Sequence, residues 1–263
     1  LAKRYKKKYS LKVGVLTFEP MPKMFFNNNL KNFRISNQKQ KIDLLKKFNV
    51  DFVILKKFDK KFSKIKSINF IKSILSKKIK AKFIFVSNNF RFGNKREGSV
   101  RQLIKYESLC KYKIVKPKPL LKNKKIISSS LIRKLIQNGK IKKVNSFLNR
   151  EWSIEGKVIR GRQLGKKIGF PTANIDIENY VLAKPGVYAV KAKKHNSSKF
   201  MRGIANLGYR PTFNQKKLLL EVHLFNFSEN LYNKYLTIYF KKFIRNEKKF
   251  QNIGHLQKQI KID

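Results

Sequence analysis

Residues 160–174 decide the fold of the second half of the chain, and they read RGRQLGKKIGFPTAN. Three glycines, Gly161, Gly165 and Gly169, recur at a spacing of four and are interleaved with cations such as Lys166. This pattern suits a loop that presents backbone N–H groups and positive charge to phosphate oxygens. The spacing is neither that of Walker A nor that of the dinucleotide fingerprint. A glycine-rich hairpin with a polar turn explains the same residues equally well on composition alone.

Two side chains with hard oxygen atoms follow these glycines directly. Thr172 and Asn174 are two residues apart, so in an extended segment both side chains point the same way. A hydroxyl and an amide oxygen side by side can hold Mg²⁺ that also keeps waters and phosphate oxygens. The sequence therefore makes Thr172 and Asn174 candidate metal ligands.

A carboxylate interrupts an apolar β-rich run at residues 219–225. Alternation places Glu221 and His223 on one face of the strand and Leu220, Val222 and Leu224 on the other. A lone carboxylate at the mouth of a barrel could accept a proton from an attacking hydroxyl. A glutamate on the solvent face of a half-buried strand is the commoner case, and His223 reads as structural.

The two halves of the chain have different periodicities. The first half alternates short β-rich runs with helical patterns, which predicts a parallel α/β sheet. The second half has several short strands separated by Gly, Pro and Asn turns, which predicts a small barrel or sandwich. These strands are Trp152–Arg160, Val187–Lys193, Met201–Leu207, Leu218–Leu224 and Leu236–Phe243. A helix is expected in the tail, where Phe250, Ile253, Leu256 and Ile260 share one face.

The composition is extremely basic, with 64 Lys+Arg against 14 Asp+Glu in 263 residues and a net charge of +50. One hypothesis is a nucleic-acid-binding protein. The other is a compositional bias, because the lysines are spread along the whole chain and no RNP, KH or zinc-finger signature accompanies them. The single cysteine, Cys110, excludes an internal disulfide and favours a cytoplasmic protein. No apolar run is long enough to span a bilayer.

Taken together, the motifs of the second half resemble the riboflavin kinase family from about Ser153 to Asp263. They are, in the family's order, Gly169–Asn174, Gly186–Tyr188, Asn206–Phe213, Glu221–Phe227, Leu231-Tyr232 and Arg245–Phe250. The resemblance implies a six-stranded antiparallel barrel with a C-terminal helix, and riboflavin and ATP as substrates. It also implies that Thr172 and Asn174 bind Mg²⁺ with the nucleotide and that Glu221 is the catalytic base. The loop at 161–169 would close over ATP, and Arg245 would lie near the flavin.

The first half is similar to the FMN adenylyltransferase domain that bacteria fuse to this kinase. The resemblance implies a nucleotidyltransferase-like, Rossmann-type parallel sheet at residues 1–125, a helical connector at 126–150 and the kinase barrel at 151–263. Residues 127–133, ISSSLIR, match the family segment whose serine-rich helix start and arginine meet the triphosphate. Ser128, Ser129 and Arg133 are therefore candidate nucleotide-binding residues, and a helix N-terminus suits an anion.

Several family features of the first half differ here. The HxGH segment is absent from these residues, which leads to the expectation of an N-terminally truncated fragment or of decayed adenylyl transfer. The family's Pro-His-Pro is Pro20-Met21-Pro22, and its glycine and acid before Phe90 are Ser87 and Asn89. We therefore expect weak or no FAD synthesis, with FMN as the main product.

Overall fold

The computed structural model describes residues 1–161, 165, 168–177, 179–195, 197–211 and 216–263. The chain divides into two compact units. The first, the α/β unit, contains residues 1–30 and 42–126, and the second, the barrel unit, contains residues 31–41 and 127–263. The predicted boundaries differ from this division, because they placed residues 31–41 in the α/β domain and separated 126–150 from the barrel.

The α/β unit has short strands that pair in parallel. Strand β1 (Gly14–Glu19) pairs with β2 (Phe52–Lys57), and β3 (Phe83–Phe85) pairs with β6 (Lys113–Val115). Two antiparallel hairpins are formed by β4 (Arg91–Phe92) with β5 (Gly98–Ser99) and by β7 (Leu121–Lys122) with β8 (Lys125–Ile126). The helices are α1 (Ala2–Tyr9), α2 (Pro22–Phe25), α3 (Gln38–Lys47), α4 (Lys60–Ser63), α5 (Ser67–Asn69), a π-helix (Phe70–Lys78), α6 (Val100–Lys105) and α7 (Glu107–Cys110). Helix α3 runs through the boundary between the two units.

The core of the α/β unit forms where the helices cover the parallel strands. Its most buried side chains include Ile71, Leu103 and Tyr112, and the hydroxyl of Tyr112 donates to the Leu103 carbonyl at 2.8 Å. Cys110, the last residue of α7, lies in this core. A buried thiol among apolar side chains is a packing group.

The barrel unit is built on six antiparallel strands that close on themselves in the order β10-β13-β12-β11-β14-β9. These strands are β9 (Ser153–Ile159), β10 (Thr172–Ile175), β11 (Gly186–Lys194), β12 (Phe200–Pro211), β13 (Lys216–Leu224) and β14 (Tyr235–Arg245). Among its described residues the unit also contains the helices α8 (Ser129–Gln137), α9 (Ile141–Leu148) and α10 (Ile253–Ile262). The predicted fold class, a parallel α/β domain followed by an antiparallel barrel with a terminal helix, is confirmed.

Along much of the barrel strands every second side chain is buried, and these buried side chains fill the barrel. On β14 the side chains of Leu236, Ile238 and Phe240 are fully buried and alternate with more exposed neighbours. Trp152, which directly precedes β9, is also fully buried. Its ring centroid lies 4.7 Å from that of Phe240. In a closed barrel, residues that face the interior alternate along each strand with residues that face outward, so the apolar side chains collect on the inner face.

The start of helix α10 differs from the sequence expectation. Phe250 was expected on the face of this helix, but residues 246–252 are not helical, and Asn252, not Asn246, is the cap. Its side chain accepts a hydrogen bond from the His255 N–H at 3.0 Å. Both residues are asparagines before an apolar periodic stretch, so composition alone does not choose between them.

Candidate active site

The predicted catalytic carboxylate stands in a polar row that crosses three barrel strands. Glu221 of β13 is paired with Asn174 of β10 on one side and with Asn206 of β12 on the other. Directly opposite residues in antiparallel strands share a face, with Cβ atoms about 4.5–5.5 Å apart. The structure therefore brings together Glu221 and Asn174, two residues that the sequence singled out separately.

The rows on either side of this polar row face the barrel core. The row of Ala173, Val222 and Ala205 and the row of Ile175, Leu220 and Leu207 have their side chains almost wholly buried or packed against the core. Because side chains alternate between faces, the polar row points away from the core. Glu221 is half-buried there. This agrees with its predicted place on the face of β13 that does not carry Leu220 and Val222.

Asn174 has a feature that points to a ligand. Its side chain is buried, with 5 % of its surface exposed, and its Oδ1 has no hydrogen-bond partner among the described residues. An unpaired buried acceptor costs about 1–3 kcal/mol. Native proteins rarely keep such a group unless an ion, a water or a ligand satisfies it.

The surroundings of Asn174 fit a small hard cation. Thr172 lies two residues earlier on β10, so its side chain shares the face of Asn174. Both residues offer neutral oxygen atoms, and Mg²⁺ is typically held by few protein oxygens together with substrate phosphates and water. No cluster of three or more His, Cys, Asp or Glu side chains able to hold a metal occurs in the described parts of the chain. Thr172 and Asn174 therefore fit Mg²⁺ that arrives with a nucleotide.

The glycine-rich loop is built tightly against these two residues. A Cβ on Gly161 would overlap the side-chain amide of Asn174, and a Cβ on Gly165 would meet the Phe170 carbonyl and approach the Thr172 hydroxyl to 3.2 Å. The Phe170 N–H closes the turn by donating to the Gly165 carbonyl at 2.8 Å. Gly169 has φ +82, which glycine adopts without strain. The predicted phosphate-binding Lys166 lies outside the described residues.

His223 supports the entry to β10. Its Nδ1 lies 2.9 Å from the Pro171 carbonyl, which can only accept, so the ring nitrogen donates. The imidazole also packs edge-on against Phe170, with ring centroids 5.4 Å apart. These contacts give His223 the structural part that the sequence suggested for it.

Arg245, predicted to lie near the flavin, is the last residue of β14 and is held by an ion pair. Its Nε and Nη2 donate to the two carboxylate oxygens of Asp263 at 2.8 and 2.7 Å. The Asp263 side chain is almost fully buried. This two-point pair fixes the guanidinium plane. A cavity of about 470 Å³ lies beside it, lined by side chains of residues 248–251 and of α10.

The predicted triphosphate-binding residues form the start of α8. The Ser128 hydroxyl caps the helix by accepting from the Leu131 N–H at 3.2 Å, and Ser129 is exposed in its first turn. Arg133 donates from Nε to the Phe33 carbonyl at 2.8 Å, and its guanidinium carbon lies 3.5 Å from the centre of the Phe33 ring. Burial lowers the pKa of Arg133 from its ordinary value. All three residues belong to the barrel unit.

Two further polar residues, Asn206 and Glu247, were not among the predicted site residues. Asn206 was noted only as part of a motif, although its alternation on β12 places it beside Glu221. The Glu247 carboxylate occupies the space where Gly208 would carry a Cβ, and that position also lies 3.4 Å from the Asn206 amide nitrogen. The register of β12 against β13, which sequence does not give, places Asn206 beside Glu221.

Comparison with known proteins agrees with this geometry. The riboflavin kinase family model matches residues 148–263, and the FAD synthetase family model matches residues 1–131. A bifunctional riboflavin kinase/FMN adenylyltransferase from Buchnera aphidicola is 38 % identical over 260 residues, which cover 98 % of this chain and 83 % of the relative. The enzyme of the same name from Haemophilus influenzae is 36 % identical over 254 residues, covering 97 % and 82 %.

A solved structure from Streptococcus pneumoniae, described as a macrolide-efflux protein, has the same fold. It superposes with a TM-score of 0.85 at 26 % identity and covers 100 % of this chain and 85 % of that one. Helices long and apolar enough to cross a membrane are missing from the described part of this chain.

The two family matches, which fall on the α/β unit and on the closed barrel, make the chain a two-unit transferase of flavin metabolism. The chain belongs to the bifunctional riboflavin kinase/FMN adenylyltransferase family. The predicted resemblance is thereby confirmed, as is the assignment of the chain as an enzyme with riboflavin kinase function. Enzymes of this family use ATP and Mg²⁺.

Proposed function

We propose that the barrel unit transfers the γ-phosphoryl group of ATP to the 5′-hydroxyl of riboflavin, giving FMN and ADP, with Glu221 as the base. A new O–P bond forms at the riboflavin oxygen, and the bond between the γ-phosphorus and the β,γ-bridging oxygen breaks. The hydroxyl proton passes to the Glu221 carboxylate. The observation that carries the proposal is the pairing of Glu221 with Asn174 across β10 and β13, since a carboxylate is then the direct neighbour of a residue with an unsatisfied buried oxygen.

Phosphoryl transfer depends on positioning and on neutralisation of charge. In the proposed site, Oγ1 of Thr172 and Oδ1 of Asn174 would hold the Mg²⁺ that neutralises the phosphate oxygens. Gly161 and Gly165 let the loop backbone lie against these two side chains, which leaves no room for a larger residue. The proposed role of Gly161, Gly165, Lys166 and Gly169 is to present N–H groups and charge to the nucleotide.

Arg245 is proposed to lie at the flavin end of the site. Its ion pair with Asp263 would then hold the guanidinium in one orientation, and Gln259, which lines the cavity beside α10, donates to the same carboxylate. Riboflavin, FMN and ATP are the proposed small-molecule partners. The single buried cysteine supports a cytoplasmic location.

For the other half of the chain, we propose that FMN adenylyl transfer is weak. Met21 replaces the histidine of the family's Pro-His-Pro, and Asn89 replaces its acid. Asn89 is exposed and accepts a hydrogen bond from Ser87 at 2.9 Å. Ser128, Ser129 and Arg133 remain the proposed contacts to the triphosphate of that reaction.

The experiment that tests both proposals is a product profile. The purified chain is incubated with riboflavin, ATP and Mg²⁺, and the flavins are separated by chromatography. FMN with little FAD is expected. Unchanged riboflavin from folded protein would contradict the kinase proposal, and abundant FAD would contradict the proposal of weak adenylyl transfer.

A further inference from the structure

Residues 31–41 lie in the part of the sequence that the FAD synthetase model matches, but they fold with the barrel unit. This segment, which we name the strap, lies along the barrel unit, forms one isolated parallel β-bridge between Arg34 and Tyr180, and then begins α3. The N–H groups of Phe33 and Arg34 donate to the Asn179 carbonyl at 3.1 and 2.9 Å. The Arg34 carbonyl in turn accepts from the Val181 N–H at 2.8 Å.

The strap supplies partners for polar groups that are deeply buried in the barrel unit. The indole N–H of Trp152, whose residue is 0 % exposed, donates to the Ile35 carbonyl at 2.9 Å. The hydroxyl of Tyr180, a residue 2 % exposed, donates to Oε1 of Gln40 at 2.9 Å. Buried donors of this kind are costly when unpaired, so the barrel surface is complementary to this particular segment.

Gln40 joins the strap to strand β9, to Tyr180 and to its own helix. Its Nε2 lies 3.2 Å from the Ser153 hydroxyl. Its Oε1 accepts from the Asn37 N–H at 3.0 Å, while Asn37 Oδ1 accepts from the Gln40 N–H at 2.7 Å. These reciprocal bonds form a capping box at the start of α3. One side chain therefore fixes both the direction of the helix and its contact with the barrel.

Charged groups add a second set of contacts. Arg150 donates to the Ser36 hydroxyl at 2.9 Å. Glu155 accepts from Asn37 and from Lys39, both at 3.3 Å. Each of these pairs joins residues more than 100 positions apart in the chain, so local sequence cannot account for them.

We propose that the surface formed by Trp152, Ser153, Glu155 and Asn179–Val181 is a docking surface for one peptide segment, the strap of the same chain. Docking shields Trp152 and stabilises the kinase barrel. The kinase unit of this chain is then discontinuous, with residues 31–41 added to 127–263. The proposal rests on contacts of the barrel unit, and its readouts do not use catalysis, so failure of the proposed kinase activity would leave it standing.

Trp152 is the only tryptophan of the chain and so reports on docking directly. In the full chain, Gln40→Ala is expected to increase acrylamide quenching of Trp152 at least twofold. It is also expected to lower the unfolding midpoint, followed at Trp152, by about 2–4 °C. Gln38→Ala is the matched control, since it makes the same change on the same helix and Gln38 has no side-chain hydrogen bond within the described residues. Equal quenching and equal midpoints for the two variants would overturn the proposal.

A double-mutant cycle separates docking from loss of the helix cap. Tyr180→Phe removes the barrel partner of Gln40 and leaves the capping box in place. If the strap docks, the effects of Gln40→Ala and Tyr180→Phe on the midpoint are smaller together than their sum. Additive effects would overturn the proposal. Should Gln40→Ala fail to fold, Ser36→Ala, which removes the bond from Arg150, is the milder variant and is expected to shift both readouts in the same direction.

Discussion

Glu221 is the residue on which the proposed chemistry depends. Replacing it by Gln removes the proton acceptor and keeps the shape of the side chain. General-base catalysis contributes about 10²–10⁴-fold, so we expect Glu221→Gln to lower kcat for FMN formation by at least ~100-fold. The measurement is the initial rate of FMN formation at saturating ATP and riboflavin.

Glu229 offers a matched control for this substitution. It is an exposed glutamate of the same unit, whose carboxylate pairs with Lys194 at 2.6 Å. Glu229→Gln is expected to keep kcat within about twofold, because surface ion pairs contribute little to stability and this one lies outside the polar row. A Glu221→Gln enzyme that retains the full rate would remove Glu221 from the role of base.

Asn174 is expected to show a conflict between function and stability. Because its buried Oδ1 lacks a partner among the described residues, Asn174→Ala removes an unsatisfied acceptor. We expect kinase activity to fall by ~10-fold or more, with a higher Mg²⁺ requirement, while the unfolding temperature without Mg²⁺ stays the same or rises. Differential scanning calorimetry with and without Mg²⁺ tests this. A large loss of stability in the absence of Mg²⁺ would show that Asn174 is a structural residue.

At the residue scale, the sequence predicted those positions that follow from the alternation of side chains along a strand. Thr172, Asn174 and Glu221 could be placed on faces because strands have a period of two. Arg133 could not be placed, since its partner Phe33 is 100 residues away and belongs to the strap. The ion pair of Arg245 with Asp263 could not be predicted either, because it depends on how α10 packs against the end of β14.

Gly165 is the loop glycine whose Cβ position is crowded by a backbone atom. Gly165→Ala would place a methyl group against the Phe170 carbonyl, which must shift because it is backbone. We expect a loss of at least ~10-fold in kcat/KM for ATP, since the turn that precedes Thr172 and Asn174 can no longer close. The fold of the barrel is expected to survive, because Gly165 lies outside the barrel strands and is not a core residue.

Gly169→Ala is the comparison for this loop. Gly169 has open space around its Cβ position, and only its positive φ opposes a side chain. We therefore expect a smaller loss than for Gly165→Ala. Steady-state kinetics over a range of ATP concentrations measures both. Equal losses in the two variants would mean that backbone strain, and not crowding at Phe170, governs the loop.

At the element scale, the sequence predicted strands better than their partners. Five barrel strands were recognised by their apolar runs. Strand β10 was not predicted by itself; an extended segment was only assumed there in order to place Thr172 and Asn174 on one face. The strap was missed altogether. It contains few apolar residues, and its hydrogen bonds to the barrel use backbone groups, such as the Arg34 N–H and the Ile35 carbonyl, that carry no side-chain signal.

The charge of the whole molecule is its most unusual property, and nothing in the proposed chemistry requires it. At +50 the chain will attract any polyanion at low ionic strength. The lysines are distributed over both halves of the sequence and over both units, without a nucleic-acid-binding motif. Attraction of this kind arises from released counterions and weakens steeply with salt.

We therefore expect RNA binding by this chain to be strong at 50 mM salt and to fall by about 10³–10⁵-fold at 200 mM. Fluorescence anisotropy of a labelled single-stranded RNA over a salt series measures this, with a second RNA of scrambled sequence as the control. The two RNAs should weaken in parallel, because contacts to phosphates carry no sequence information. Tight binding that persists at 200 mM salt and distinguishes the two sequences would instead favour a specific nucleic-acid-binding role. In that case the spread of lysines would be a functional surface, because a compositional bias has no means of distinguishing two RNAs of equal length and charge.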